Sequence, residues 1–262
     1  MAAPLIAIDI GNSRIKLGLF DQAVDPDRVP LPSRVLDLPV DRWEGTQLAA
    51  WLPAALDWPE WRVASVNRPA AAKLLVWIER ECRTPAGTPP AARLLTVADL
   101  PLAVQLEHPE RVGVDRLSAA VAVNRLRTRN RPAIVVDTGS AITVDLIGAD
   151  GVFRGGAILP GIDMSARALH EFTDLLPLVS LSDLAEPPAA LGISTVTAIR
   201  SGLFWGGIGA VRELTSRLAV GLPQPPELFF TGGAAAHLAR PLGLEARYEP
   251  HLVLSGIAMA RP

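Results

Sequence analysis

Leu5-Ile6-Ala7-Ile8-Asp9-Ile10-Gly11-Asn12-Ser13, followed by Arg14-Ile15-Lys16-Leu17-Gly18-Leu19, decides the fold. An apolar strand ends in an aspartate and a glycine turn. Ile15, Leu17 and Leu19 then alternate at period two, as an antiparallel return strand does. The pattern recurs at Ile134-Val135-Val136-Asp137-Thr138-Gly139-Ser140, with Ile142, Val144 and Leu146 alternating after it. Both stretches read as hairpins. The second follows the first by close to half of the 262-residue chain, which predicts two similar lobes facing one cleft.

Gly11 and Gly139 permit positive φ and carry no Cβ, so backbone N–H groups can approach an anion, and Asn12, Ser13 and Ser140 add side-chain donors. A carboxylate at the strand end repels phosphate unless a cation lies between them. Asp9 and Asp137 are therefore expected to face a metal, directly or through water. A plain tight turn uses the same residue types, and it is the repetition that favours phosphate. Tandem lobes with paired Asp-x-Gly turns resemble the actin, Hsp70 and sugar-kinase superfamily. The resemblance implies an α/β fold of two tandem ribonuclease-H-like (actin-like ATPase) lobes with a nucleotide cleft between them. Residues 1–112 would carry the first phosphate turn and 113–262 the second.

With 49% apolar and 20% charged residues the chain is globular and long enough to bury a core. A net charge of −2 supplies no broad field for nucleic acid or anionic lipid, so neither is expected as a partner. Cys82 is the only cysteine, which excludes an intrachain disulfide and points to a reducing compartment. It closes the helical pattern Leu74, Leu75, Ile78, and a structural role is expected. The N-terminus lacks a signal-peptide pattern. The longest apolar stretch, Ser201 to Val211, is too short to span a bilayer. A cytoplasmic location follows as the expectation. His108, His170, His237 and His251 are scattered without zinc-ligand spacing.

Between the hairpins, a Pro- and Asp-rich connection is expected from Asp21 to Pro39, then helices near 47–56 and 70–83 and strands near 61–66 and 93–97. A helix near 112–126 precedes the second hairpin. A strand through Gly155–Pro160, a helix over 163–176, a flap-like loop over 177–188 and a long helix over 195–218 follow it. Gly202, Gly206, Gly207 and Gly209 in that helix are predicted to permit close packing against another element. A strand ending in Thr231-Gly232-Gly233 precedes helices over 234–240 and 252–260.

Gly113-Val114-Asp115-Arg116 is the most discriminating local feature. The dipole of the helix it opens favours a charged aspartate in the first turn; a capping aspartate with a salt bridge is the plainer alternative. Taken in order with Asp9-Ile10-Gly11-Asn12-Ser13, with Asp137-Thr138-Gly139-Ser140-Ala141-Ile142-Thr143-Val144-Asp145 and with Gly155-Gly156-Ala157-Ile158-Leu159-Pro160-Gly161, it resembles the type III pantothenate kinases from end to end. Ser194-Thr195 and Thr231-Gly232-Gly233 fit the same pattern, whereas Leu106 stands where family members carry tyrosine. The resemblance implies ATP-dependent phosphorylation of pantothenate, with an inactive nucleotide-binding regulator as the alternative. It implies ATP contacts from Asp9, Ile10, Gly11, Asn12, Ser13, Arg14, Ile15, Lys16 and Ser140, and pantothenate contacts from Gly113, Val114, Asp115, Arg116 and Thr195. Asp115 would be the catalytic base, Asp9 would hold Mg²⁺ through water, and Asp137 would bind a monovalent cation (K⁺ or NH₄⁺). It also implies a homodimer.

Overall fold

The alternating run after the first turn folds back on the strand before it. β1 (Leu5–Ile10) and β2 (Arg14–Phe20) pair antiparallel from Leu5↔Phe20 to Ile10↔Ile15. β2 pairs antiparallel with β3 (Arg34–Pro39). On the other side of β1, β4 (Glu60–Ser65) and β5 (Ala92–Leu94) add in parallel, giving the order β3-β2-β1-β4-β5. The computed structural model describes residues 4–21, 25, 28–53, 59–82, 90–180, 186–233 and 245–261. β3 lies in the stretch expected to be a connection. Its inward residues Leu36 and Leu38 do alternate, but Pro39 disguises the pattern; on an edge strand proline breaks no ladder.

Period two sorts the sheet's faces. Ile6, Ile8, Ile10, Ile15, Leu17 and Val63 point into a core closed by Trp43, Leu48 and Trp51 around α1 (Gly45–Trp51) and by Leu74 and Ile78 of α2 (Arg68–Glu81). Each fully buried isoleucine contributes about 1.5–3 kcal/mol. Asn67 caps α2, its Oδ1 accepting the Ala70 N–H at 3.1 Å. Asn67→Ala is expected to cost about 1 kcal/mol, visible as a lower urea midpoint at unchanged m. Cys82, at the end of α2, packs against the same core. Burial, then the Glu81 charge, pushes its thiol up to about 11, which fits the structural role expected of it.

The second sheet repeats the first. β6 (Ala133–Thr138), β7 (Ala141–Ile147) and β8 (Phe153–Pro160) form an antiparallel meander, and β9 (Glu227–Thr231) and β10 (Ala246–Tyr248) add in parallel beyond β6. The order β10-β9-β6-β7-β8 is that of the first sheet read from its far edge. Ile134, Val136, Ile142, Val144 and Phe230 pack on Ile162 of α4 (Ile162–Glu171) and on Phe204, Ile208 and Val211 of α5 (Thr195–Ala219). The α5 glycines differ from expectation. A methyl group at Gly202, Gly206, Gly207 or Gly209 would meet nothing within 4 Å among the described residues. Each glycine costs the helix about 1 kcal/mol against alanine, and no packing contact among the described residues accounts for them.

The chain forms two compact units, Met1–Leu126 with His251–Pro262, and Arg127–Pro250. The boundary therefore falls after α3 (Val114–Leu126) rather than at residue 113, and the chain returns to the first unit in α6 (Leu252–Ala258). Packing explains this: α6 lies on the face of the first sheet opposite the tryptophans, where its Leu254 approaches Gly18, and its Gly256 meets Ser118 of α3. Buried Arg62 of β4 donates from Nη1 to the carbonyls of Ala258 (2.8 Å) and Ala260 (2.7 Å), and its Nε and Nη2 fork onto Glu60. The helix expected over 234–240, and residues 84–89 and 181–185 of the expected loops, lie outside the described residues.

Candidate active site

In the first unit, the Asp9 turn and the Gly113–Arg116 motif lie at the same ends of the parallel strands. Gly11 N–H donates to Arg14 O (2.9 Å), closing the turn, and Val66 N–H, just past β4, donates to Ile10 O (3.0 Å). A Cβ built on Gly113 would lie 3.4 Å from Val66 Cγ1. Carboxyl ends of parallel strands are where open α/β sheets bind ligands. A methyl at Gly113 would overlap Asp115 Oδ1, so glycine here makes room for that carboxylate. Asp115 is half-buried, and its Oδ1 accepts the Arg116 N–H at 2.8 Å.

The turn glycines have a different reason. Gly11 and Gly139 are not among the positive-φ residues, so the conformational freedom expected of them is unused. A methyl at Gly11 would come no closer than 3.4 Å to Arg14 O, and one at Gly139 no closer than 3.7 Å to Ala141 O and Asp137 Oδ1. Neither strain nor internal clash calls for glycine at either turn. What remains is the open backbone itself, the property an incoming anion uses.

Asp9, Lys16 and Asp37 are directly opposite one another on β1, β2 and β3 and share a face. Asp37 also holds Arg14, Nε to Oδ1 at 2.7 Å. A pair this exposed is worth less than about 1 kcal/mol, so it holds Arg14 only weakly. Asp37 could not be found from the sequence without β3. His251, before α6, is held below the ordinary histidine range by burial and then by the Lys16 charge. Unfolded His251 takes up a proton that the folded one refuses. Stability is therefore lost as pH falls below the unfolded value of about 6.5.

In the second unit, Gly139 N–H donates to Ala141 O (3.1 Å) and Gly161 N–H to Ser140 O (3.0 Å). Three glycines are fixed by close approach to this hairpin. A methyl at Gly161 would sit 2.5 Å from Gly139 O and Ser140 O, one at Gly156 2.6 Å from Asp145 Oδ1, and one at Gly232 2.7 Å from Thr138 N. Gly232 also has φ +95°. Thr138 Oγ1–H donates to Thr231 O (3.2 Å), tying the end of β9 to the Asp137 turn. The Gly-Gly and Thr-Gly-Gly segments thus shape the turn. Thr195 instead lines a groove of about 1280 Å³ between α4 and α5, together with Pro160, Met164, Phe172 and Ile193.

Among the described residues no group of three or more His, Cys, Asp or Glu could hold a metal by itself. The half-buried carboxylate of Asp9 beside the open Gly11 turn fits Mg²⁺ that arrives on a nucleotide and keeps its waters. Among the described residues, too, no helix is long and apolar enough to cross a membrane.

Two solved structures share this architecture. The ethanolamine utilization protein EutJ from Carboxydothermus hydrogenoformans matches with TM-score 0.52 and 15% identity, covering 99% of this chain and 90% of that one. The activator of the 2-hydroxyisocaproyl-CoA dehydratase from Clostridium difficile, with bound ADPNP, matches with TM-score 0.52 and 12% identity, covering 98% and 92%. The fold is the two-lobed α/β fold of the actin-like ATPases and sugar kinases. The family model for type III pantothenate kinase matches residues 5–217. A type III pantothenate kinase from Rhodopirellula baltica is 36% identical over 276 residues, 96% of each chain. The chain belongs to the type III pantothenate kinase family.

Proposed function

We propose that this protein transfers the γ-phosphoryl group of ATP to the primary hydroxyl of pantothenate, giving 4′-phosphopantothenate and ADP, the first step toward coenzyme A. The observation that carries the reading is the juxtaposition, in one unit, of an open-backbone turn at Gly11 with Asp115 at the start of α3. The backbone and side chains from Asp9 to Lys16 bind the phosphates, and Ser140 contacts the nucleotide. Asp115 orients the hydroxyl. As the new bond from that oxygen to γ-phosphorus forms, the bond from γ-phosphorus to the bridging oxygen breaks, the hydroxyl proton passes to Asp115 and ADP leaves. Arg116, with Gly113 and Val114, clamps the pantothenate, and Thr195 adds a contact. Asp9 would hold Mg²⁺ through water, and the ion would neutralise charge on the β- and γ-phosphates.

Asp137 takes a monovalent cation on this reading. Asp137→Ala is expected to abolish potassium stimulation of turnover; a variant still stimulated like the parent removes that role. The molecule works as a cytoplasmic homodimer. Phe172 (84% exposed) and Ile193 (91%) beside the α4–α5 groove, with the open glycine face of α5, support a subunit interface, and sedimentation velocity tests it. Coupled measurement of ADP release tests the function as a whole. Pantothenate-dependent turnover is expected, and ATP binding without turnover would overturn the proposal.

A further inference from the structure

We infer that Gly256 of α6 is a positioning residue for Asp115, setting the seat of the helix that carries the carboxylate. The inference rests on the reading of Asp115 as the base. Asp115 is in the first turn of α3 and Ser118 follows one turn later. Ser118 is fully buried against Gly256: a methyl there would overlap the Ser118 carbonyl and lie 2.9 Å from its Cα. These are backbone atoms, so no rotamer change relieves the overlap. Ser118 Oγ has no hydrogen-bond partner among the described residues, so the two helices meet for close approach and not for a polar contact.

α6 is itself fixed along its length. Leu254 reaches Gly18 on β2, and Arg62 of β4 grips the carbonyls of Ala258 and Ala260. Beyond the helix, Arg261 N–H donates to Asp99 O (2.7 Å) and Arg93 Nη1 donates to Arg261 O (2.9 Å). Just past the strand that grips α6 comes Val66, against Gly113, over which the Asp115 carboxylate folds. The contacts close a ring: β4 to Gly113, Asp115 to Ser118, Gly256 to α6, and Arg62 back to β4. A push at Gly256 is therefore delivered to the first turn of α3. Part of this ring, α6, lies outside residues 5–217, which the family model matches.

The test is steady-state kinetics with melting curves on full-length Gly256→Ala, Gly18→Ala and Asp115→Asn. Gly256→Ala is expected to lower kcat about tenfold to a hundredfold, as misplacement of a catalytic group does, with KM for ATP within about twofold. Gly18→Ala disturbs the same helix more gently, because the nearest atoms to its methyl are all in side chains, Pro32 Cβ (3.1 Å), Leu254 Cδ1 (3.2 Å) and Phe20 Cε2 (3.3 Å). It should lower the melting temperature and leave kcat unchanged. If Gly256→Ala does not fold, Arg62→Lys replaces it: the charge stays, the fork is lost, and the same split between kcat and KM is expected. A kcat within about twofold of the parent for Gly256→Ala, or for its replacement, overturns the positioning role, as does an equal fall in kcat for Gly18→Ala. Full turnover by Asp115→Asn overturns the underlying reading instead.

Discussion

Asp115→Asn should lower kcat by about 10²–10⁴-fold, the span that positioned acid–base groups supply, or about 3–5 kcal/mol of barrier. The amide keeps the shape and the acceptor oxygen that receives the Arg116 N–H, so the first turn of α3 has no reason to change. What it cannot do is take the hydroxyl proton. KM for both substrates should stay near the parent values, because the loss falls on the transition state and not on uniform binding. Steady-state ADP release, with a melting curve to show an unchanged fold, reads the effect. Turnover within about tenfold of the parent removes Asp115 from the reaction.

Gly11→Ala should separate stability from binding. Its methyl would make only ordinary contact, 3.4 Å from Arg14 O, so the melting temperature should hold. On the proposed reading, however, phosphate comes close to the backbone here. Loss of one or two charge-assisted hydrogen bonds, each about 1.5–3 kcal/mol, should raise KM for ATP by about tenfold or more. Gly156→Ala is the contrast: its methyl would lie 2.7 Å from Asp145 Cα, and it should unfold the second unit before it touches nucleotide. Should Gly11→Ala use ATP as the parent does, the glycine serves something other than phosphate.

Much of the molecule could be read from its residues because the decisive features are local. Both hairpins follow from alternation and turn chemistry, and α2, α4 and α5 from their apolar spacing, although α4 ends at Glu171, short of the expected residue 176. What escaped notice depends on long-range pairing. β3 is an edge strand whose terminal Pro39 looks like loop, and with it went Asp37, the partner of Arg14. The place of α6 could not be read either, since nothing in Leu252–Ala258 says that it returns to α3 rather than staying with the strands before it. The glycines show the same limit. Composition marks them all as permissive, and only the neighbours separate Gly11, open toward solvent, from Gly256, held against a backbone. The motif residues were easier to find, because order along the chain was enough to identify them.

Return of the chain to its first unit after residue 250 also orders events during synthesis. The first sheet can form on the ribosome from its own contiguous strands, but α3, which touches β4, lacks its main packing partner until α6 is made, after the entire second unit has emerged. Domains that fold as they are translated proceed from the N-terminus, so this one must wait, with the buried faces of α3 uncovered in the interval. A nascent chain stalled before Leu252 would carry both Asp-x-Gly turns and Gly113–Arg116 and still lack the helix against which α3 packs.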